Sequence, residues 1–157
     1  MFKDVRLRAL ADSPTAFSST YARESEFPDE EWMRRAEHWN GEQAIGYLAF
    51  DAPDESRACG LVACYTREEA GVRSGHVISL WVNPGYRRAG VALMLIEALK
   101  AWARWCGLPQ LTLMVTSVNQ GAITFYQRAG FQFSGKTGAY PNDPAIIEYE
   151  MAAPLEA

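Results

Sequence analysis

The chain has 157 residues, of which 48% are apolar and 22% charged, and its formal net charge is −4. A chain of this size buries enough surface to fold without disulfides, so we expect one domain over residues 1–157. Its apolar and aromatic content excludes global disorder, and no apolar stretch approaches the roughly 20 residues of a membrane-spanning helix. The N-terminal segment carries Asp4 and lacks the apolar core of a secretory signal.

The charge is distributed unevenly. Residues 81–140 contain six basic residues and one acid, which gives +5 there and −9 in the rest of the chain. An acidic protein is a poor general binder of nucleic acid, so we expect neither nucleic acid nor a membrane as a partner. The local basic segment instead indicates one anionic ligand at a defined place.

Cysteine and histidine usage argues against a metal site. The three cysteines, Cys59, Cys64 and Cys106, have no CxxC spacing and lie among apolar neighbours, where a thiol behaves as a small hydrophobe. Two histidines leave too few partners for zinc. We therefore expect no metal and a reduced, soluble, cytoplasmic protein.

The first half of the chain is predicted to form helices and then strands. Helices are expected from Asp4 to about Ala11, from Ala16 to Arg23, and from Pro28 to His38, where proline and acids suit a first turn. Short apolar runs at 43–50, 58–65 and 76–82, separated by polar loops, predict an antiparallel meander.

The second half predicts alternating helices and strands. A helix from Gly90 to Trp105 has a buried apolar side, and the alternation in Leu111–Thr116 predicts a strand. Asn119–Ala129 reads as a helix that Asn119 caps and Gly130 ends. Residues 131–133 and 145–151 supply two closing strands. The order ααβββαβαββ predicts an α+β fold with a mixed sheet.

The turn between the strand at 76–82 and the long helix is the first candidate site. Small residues at Ala89, Gly90 and Ala92 let a ligand approach the backbone, and the unpaired N–H groups of a helix N-terminus attract phosphate. Arg87 and Arg88 add positive charge. An ordinary turn with solvated arginines remains the alternative. The pattern matches neither a P-loop nor a dinucleotide-binding GxGxxG.

Two motifs resemble the GNAT superfamily of acetyl-CoA-dependent N-acetyltransferases. The family pattern [Q/R]xxGx[G/A] corresponds to Arg87-Arg88-Ala89-Gly90-Val91-Ala92, after Val82-Asn83-Pro84. The pattern N-x-x-A-x-x-[FL]-Y-x-x-x-G-F corresponds to Asn119, Ala122, Phe125, Tyr126, Gly130 and Phe131. Their order along the chain strengthens the resemblance, which covers roughly residues 44–151.

The resemblance implies a fold and a binding site. The fold would be a GNAT-like, mostly antiparallel sheet flanked by helices and splayed between the strands at 76–82 and 111–116. Acetyl coenzyme A would be the cosubstrate. Its pyrophosphate would lie on the backbone amides of the first motif (Arg87, Arg88, Ala89, Gly90, Val91 and Ala92). Its pantetheine arm would pair with the strand at Leu80, Trp81 and Val82 and contact Asn119 and Ala122.

Tyr126 would be the general acid for the coenzyme A thiolate. Seven helical residues turn through about 700°, so Asn119 and Tyr126 share one helix face. A tyrosine with a pKa of about 10 keeps its proton at neutral pH and can donate it. A helix cap and a packed ring are the alternative readings of these two residues.

The general base is not evident from the sequence. Many relatives place a glutamate near the position of Ser79, and this chain has none between Glu69 and Glu97. The candidates are His76, Glu24, Glu26 and Glu148. A loop with Tyr140, Asn142 and Asp143 could line the acceptor side or only form a turn. Relatives usually start with a β-strand, whereas this chain starts almost inside a helix. Either the protein dispenses with that edge strand, or a partner chain or further residues supply it.

Two functions follow from these patterns. The first is transfer of an acetyl group to a primary amine by direct attack, on a small-molecule or protein acceptor; the −9 charge mildly favours a cationic one. The second is a non-catalytic acyl-CoA-binding module for regulation or assembly, which the missing strand glutamate would suit. Homodimerisation stays open.

Overall fold

The computed structural model describes residues 1–51 and 54–156 of the protein. Within these ranges the helices are α1 (Phe2–Asp12), α2 (Tyr21–Ser25), α3 (Asp29–His38), α4 (Val91–Trp105) and α5 (Gln120–Arg128). The strands are β1 (Ala44–Asp51), β2 (Asp54–Glu69), β3 (Val72–Val82), β4 (Gln110–Thr116), β5 (Gln132–Tyr140) and β6 (Asp143–Pro154). The predicted order ααβββαβαββ is confirmed from the first strand onward, but it counts two helices before that strand where the structure has three.

The described strands form one sheet in the order β1-β2-β3-β4-β6-β5. Every neighbouring pair is antiparallel except β3 and β4, which run parallel. These two pair only at Gly75 with Leu111 and at His76 with Thr112, although both strands continue well beyond these residues. The strands therefore diverge toward their C-terminal ends, which confirms the predicted α+β fold with a splayed, mostly antiparallel sheet.

Glycine permits the close approach of β3 and β4 where they do pair. A Cβ atom added at Gly75 would lie 2.7 Å from Cδ2 of Leu111 and 2.9 Å from Sγ of Cys64. Both distances are too short for carbon and sulfur in van der Waals contact. A larger residue at position 75 would push β3 and β4 apart at the point from which they diverge.

A β-bulge interrupts β3 in the splayed region. Leu61 of β2 pairs with Trp81 and Ala63 pairs with Ile78, so that Val62 faces two residues, Ser79 and Leu80. Ser79 has a φ of +61°, which is uncommon for a residue other than glycine. The bulge removes Ser79 and Leu80 from regular pairing and re-aims the backbone at this point.

Two apolar clusters cover opposite faces of the sheet. The larger one packs α4 and α5 on residues such as Leu113, Val115 and Met151, and the smaller one packs α1 on Leu61 and Trp81. Each face of a sheet must bury its apolar side chains against another layer, which the amphipathic helices provide. The layers leave the splayed ends of β3 and β4 at the sheet centre.

The cysteines behave as the sequence predicts. Cys59 and Cys64 are buried, Cys106 is half-buried, and all three are free thiols. Burial raises the pKa of Cys64 to about 12, so the thiol stays protonated. In residues 1–51 and 54–156, no helix has the length and apolarity that crossing a bilayer requires, and no three His, Cys, Asp or Glu side chains lie together as metal ligands would.

Several predicted boundaries are wrong. The second helix is α2 at Tyr21–Ser25 rather than at residues 16–23, and Pro14–Ala16 forms a 3₁₀ turn before it, because proline disfavours the helical conformation at Ser13. The predicted loop at 66–75 is mostly strand, closed by a tight turn at Ala70 and Gly71, whose φ angles are both positive. Residues 135–144 are also mostly strand, since the exposed side chains of an edge strand give no apolar signal. Residues 52 and 53 of the predicted loop at 51–57 lie outside the described residues.

Candidate functional site

Two cavities lie on either side of the bulge in β3. The α4 cavity, of about 1190 Å³, is lined by the end of β3, the turn before α4, the start of α4 and one face of α5. The basic cavity, of about 480 Å³, lies between helices α1 to α3 and strands β1 to β3. Ser79 lines the basic cavity and the next residue, Leu80, lines the α4 cavity. Consecutive residues of the bulge thus line two different cavities.

The turn before α4 presents backbone amides to the α4 cavity. Gly90 caps the helix with a φ of +84°, a conformation that favours glycine. The first-turn N–H groups that follow have no partner within the helix and carry the positive end of its dipole. Arg88, Gly90, Val91 and Ala92 line the cavity, whereas Ala89 lies in the same turn but is not part of the lining.

Arg87 is held by the protein itself. Its Nε donates to the carbonyl oxygen of Val82 at 2.9 Å, and its Nη2 forms an ion pair with the carboxylate of Asp12. The indole N–H of Trp81 donates to the same carboxylate, and the Trp81 side chain packs in the smaller apolar cluster, beneath α1. Burial alone would raise the pKa of Asp12, but these hydrogen bonds and the charge of Arg87 lower it. Arg87 and Trp81 therefore fasten the turn to α1.

Asn119 and Tyr126 both line the α4 cavity, as their spacing on one helix face predicts. The Oδ1 of Asn119 accepts from the backbone N–H of Ala122 at 3.1 Å, so Asn119 also serves as the helix cap. The ring of Tyr126 contacts Phe125 and Phe131 edge to face. Burial raises the pKa of Tyr126 above its usual value, which keeps the phenol protonated at neutral pH. Ala122 completes this side of the cavity.

A buried ion pair borders the basic cavity. Arg6 donates to both carboxylate oxygens of Glu24, at 3.0 and 2.8 Å, and its third nitrogen donates to Oγ of Ser79 at 2.9 Å. Glu24 is fully buried and also accepts from Arg35 at 3.2 Å. Arg6 therefore occupies the side of the bulge where the resemblance leads one to look for a base, and it supports the strained backbone of Ser79.

The four candidate bases have different surroundings. Glu24 alone among them lines a described cavity, but its pKa is lowered, because its bonds to Arg6 and Arg35 outweigh burial, which raises it. Burial raises the pKa of Glu148, which lies on β6 opposite Thr116 of β4. Glu26 is exposed. His76 lies in the sheet, where its Nδ1 is 3.2 Å from Oγ1 of Thr112.

The titration of His76 yields a test of its burial. Burial first, and then the charge of Arg67, lower the pKa of His76 to about 4, against the opposing effect of Glu150. Because the unfolded chain binds this proton at a pKa of about 6.5, stability is lost as the pH falls from about 6.5 to about 4, by up to about 1.4 kcal/mol per pH unit. We expect the variant His76→Gln to lack this pH-dependent loss of stability. Urea unfolding of both proteins from pH 7 downward measures it, and parallel stability curves would contradict it.

The tip of the β5–β6 hairpin is bound to the chain after α1. The hydroxyl of Tyr140 donates to the carbonyl oxygen of Phe17 at 2.6 Å, and the side-chain amide of Asn142 donates to the same oxygen at 3.0 Å. Asp143 accepts from the backbone of Ala145 within the turn. These residues thus close a turn and cover the core, and they line neither cavity described above.

Sequence reasoning missed Asp12, Arg6 and the arginines of α2 and α3. One signal was present: Arg6 lies four residues after Phe2 and four before Leu10, on the apolar face of α1. A charged residue on a buried face requires a partner. The sequence does not show that the partner is Glu24, because α1 and α2 meet only in the folded chain.

Comparison with known proteins agrees with this architecture. The family model described as Acetyltransferase (GNAT) family matches residues 9–131. An N-alpha-acetyltransferase of Sulfurisphaera tokodaii is 35% identical over 85 residues, which are 54% of this chain and 50% of that protein. The chain thus spans about half the length of this curated relative.

Solved structures cover more of the chain. An acetyltransferase of the GNAT family from Streptococcus pneumoniae superimposes with a TM-score of 0.77 and 25% identity, over 99% of this chain and 93% of that one. A Bacillus anthracis protein assigned as a streptothricin acetyltransferase, solved in complex with acetyl coenzyme A, gives a TM-score of 0.65 and 21% identity, over 77% and 68%. With the family match covering most of its length, the chain belongs to the acetyltransferase (GNAT) family.

Proposed function

We propose that this protein transfers the acetyl group of acetyl coenzyme A to a primary amine. The observation that carries the proposal is the pair of cavities on either side of the bulge, lined by the consecutive residues Ser79 and Leu80. A reaction between two substrates requires that their reacting atoms meet while their remaining parts lie in separate spaces. The bulge borders both described cavities, since Ser79 lines the basic cavity and Leu80 lines the α4 cavity.

The α4 cavity suits the coenzyme. Its residues offer what a pyrophosphate and a pantetheine arm require: free amides at Gly90, Val91 and Ala92, and a strand edge that β4 leaves unpaired from Leu80 to Val82. On this edge the carbonyl oxygen of Val82 accepts from Arg87. Arg88 is exposed beside the same turn. Asn119 and Ala122 would contact the arm from α5. The complex of the Bacillus anthracis protein with acetyl coenzyme A supports this choice of cosubstrate.

The residues at the junction supply the chemistry. The coenzyme provides an activated thioester, from which the amine displaces the thiolate. The backbone N–H at Leu80, released from regular pairing by the bulge, would donate to the thioester carbonyl as negative charge develops on its oxygen. Tyr126 would donate its proton to the departing sulfur. Because Glu24 is held by two arginines, we assign uptake of the amine proton to water.

A thiol-release assay tests the proposal. Purified protein with acetyl coenzyme A and a panel of primary amines should release free thiol only when an acceptor is present, and mass spectrometry should detect the acetylated amine. The panel should include amino acids, peptides, polyamines and aminoglycosides. Binding of acetyl coenzyme A without acceptor-dependent thiol release across this panel would favour a non-catalytic acyl-CoA-binding module instead.

A further inference from the structure

The basic cavity has a strongly positive lining. Four arginines contribute to it and one carboxylate opposes them: Arg6, Arg23, Arg34 and Arg35 against Glu24. The opposite wall is largely apolar and is formed by β1 and β2, with Tyr47, Leu48 and Leu61. A cavity with this lining presents donors and positive charge on one side and a hydrocarbon surface on the other.

The arginines differ in how far the protein neutralises them. Arg6 is paired with Glu24. Arg35 is shared between Glu24 and Glu31, and Arg34 binds both oxygens of Glu31. Among the residues that the structure describes, Arg23 has no ion-pair partner. Four guanidinium groups therefore face two carboxylates, and Arg23 is the group left to bind an anion.

We infer that the acceptor is a small primary amine that also carries an anionic group, a carboxylate or a phosphate, which Arg23 binds at the α2–α3 side of the basic cavity. This inference rests on the proposed acetyl transfer. A guanidinium group binds carboxylate and phosphate through paired hydrogen bonds, whereas it repels ammonium groups. The volume of about 480 Å³ matches a small-molecule site.

The geometry orients such an acceptor. The amine would meet the thioester at Ser79, because the next residue, Leu80, lines the α4 cavity, and Arg23 lies on α2 in the helical wall. The hydroxyl-bearing residues Ser18 and Ser19 line the cavity beside α2 and add further donors. The carbon chain between the two charged ends would lie on Tyr47 and Leu48.

This placement reverses the expectation from the charge of the whole chain. The −9 outside residues 81–140 suggested acidic walls that attract a cationic amine. The acids of that region, such as Glu24 and Glu31, instead neutralise arginines, and the guanidinium groups line the cavity. The local field acts on a bound ligand more strongly than distant surface charges, which salt screens.

Matched pairs of acceptors test the inference. Amino acids, including ω-amino acids of increasing chain length, are compared with their carboxamides, and aminoalkyl phosphates with the corresponding amino alcohols. Each rate is divided by the fraction of the acceptor amine that is neutral at the assay pH. We expect the anionic member of at least one pair to have a kcat/KM about tenfold or more above that of its neutral partner, and spermidine to be a poor acceptor. The two series show whether carboxylate or phosphate is preferred.

The variant Arg23→Gln separates binding from chemistry. It should raise the KM for the preferred anionic amine about tenfold while kcat changes little, so that the preference over the neutral partner disappears. The matched control is Arg104→Gln, an exposed arginine on α4 that lines neither cavity and removes the same charge. Equal KM values in the wild type and Arg23→Gln, or faster acetylation of cationic amines, would overturn the inference while leaving acetyl transfer intact. Absence of thiol release with every amine would instead count against the proposed function.

Discussion

Replacing Tyr126 with phenylalanine is expected to lower kcat at least roughly tenfold, the low end of what a positioned general acid contributes. The phenol lines the α4 cavity, and its burial raises its pKa, so the residue holds a proton at neutral pH. The variant keeps the ring contacts with Phe125 and Phe131 and removes only the hydroxyl. Acetyl coenzyme A affinity should therefore remain nearly unchanged. Steady-state kinetics and calorimetric titration measure the two quantities.

Tyr149→Phe provides the matched control for this variant. Tyr149 is also half-buried and contacts an aromatic ring, Phe133, but it lines neither described cavity. Its loss of a hydroxyl should leave kcat close to that of the wild type. If Tyr126→Phe and Tyr149→Phe behave alike, Tyr126 is a packing residue and the thiolate obtains its proton from solvent.

Glu24→Gln is expected to lower the free energy of unfolding by about 3 kcal/mol or more, because it leaves the guanidinium of Arg6 buried without a counter-charge. The Glu24 carboxylate has a lowered pKa, so its stabilising effect is present above pH about 4.5 and is lost as the pH falls below that value. Urea unfolding near neutral pH measures the loss. The more exposed acid Glu97, paired with Lys100 on α4, offers a control whose replacement by glutamine should cost much less.

A double variant shows whether Arg6 and Glu24 stabilise the fold as an ion pair or independently of each other. Combining Glu24→Gln with Arg6→Met removes both charges, and the loss should be clearly smaller than the sum of the two single losses. Strict additivity would show that Arg6 and Glu24 stabilise the fold independently. Since Arg6 also donates to Ser79, the single variant Arg6→Met should in addition weaken the bulge and reduce acetyl transfer.

Prediction from the sequence succeeded where local chemistry sets the structure. The turn with Gly90 and the cap at Asn119 depend on backbone conformation and on hydrogen bonds between residues three or four apart. The same holds for Tyr126, which the helical repeat places on the face of Asn119. These features were predicted at the residue level. Edge strand β5 was predicted too short, because its exposed side chains carry no alternation of apolar and polar residues.

The contacts of Arg87, in contrast, depend on a residue distant in sequence and were not predicted. The sequence places Arg87 in the turn before α4, where its charge suggests a ligand contact, but in the structure its guanidinium forms an ion pair with Asp12, 75 residues away along the chain. The basic cavity has the same origin, since Arg6, Arg23 and Arg35 come from three helices whose packing no local pattern encodes. The lining of the basic cavity was therefore not predicted.

The sequence by itself determined the order of the strands and of the two later helices, the glycine turn at Gly90, and the placement of Asn119 and Tyr126 on one helix face. The turn and the shared face each depend on residues within one or two helical turns. Only the tertiary structure decided where charge lies. Partners distant in sequence neutralise Arg6 and Arg87, and the arginines rather than the acids of the N-terminal helices line the basic cavity. The net charge of −4 is a sum over the whole chain, whereas a ligand responds to the few groups within a Debye length of its own charges.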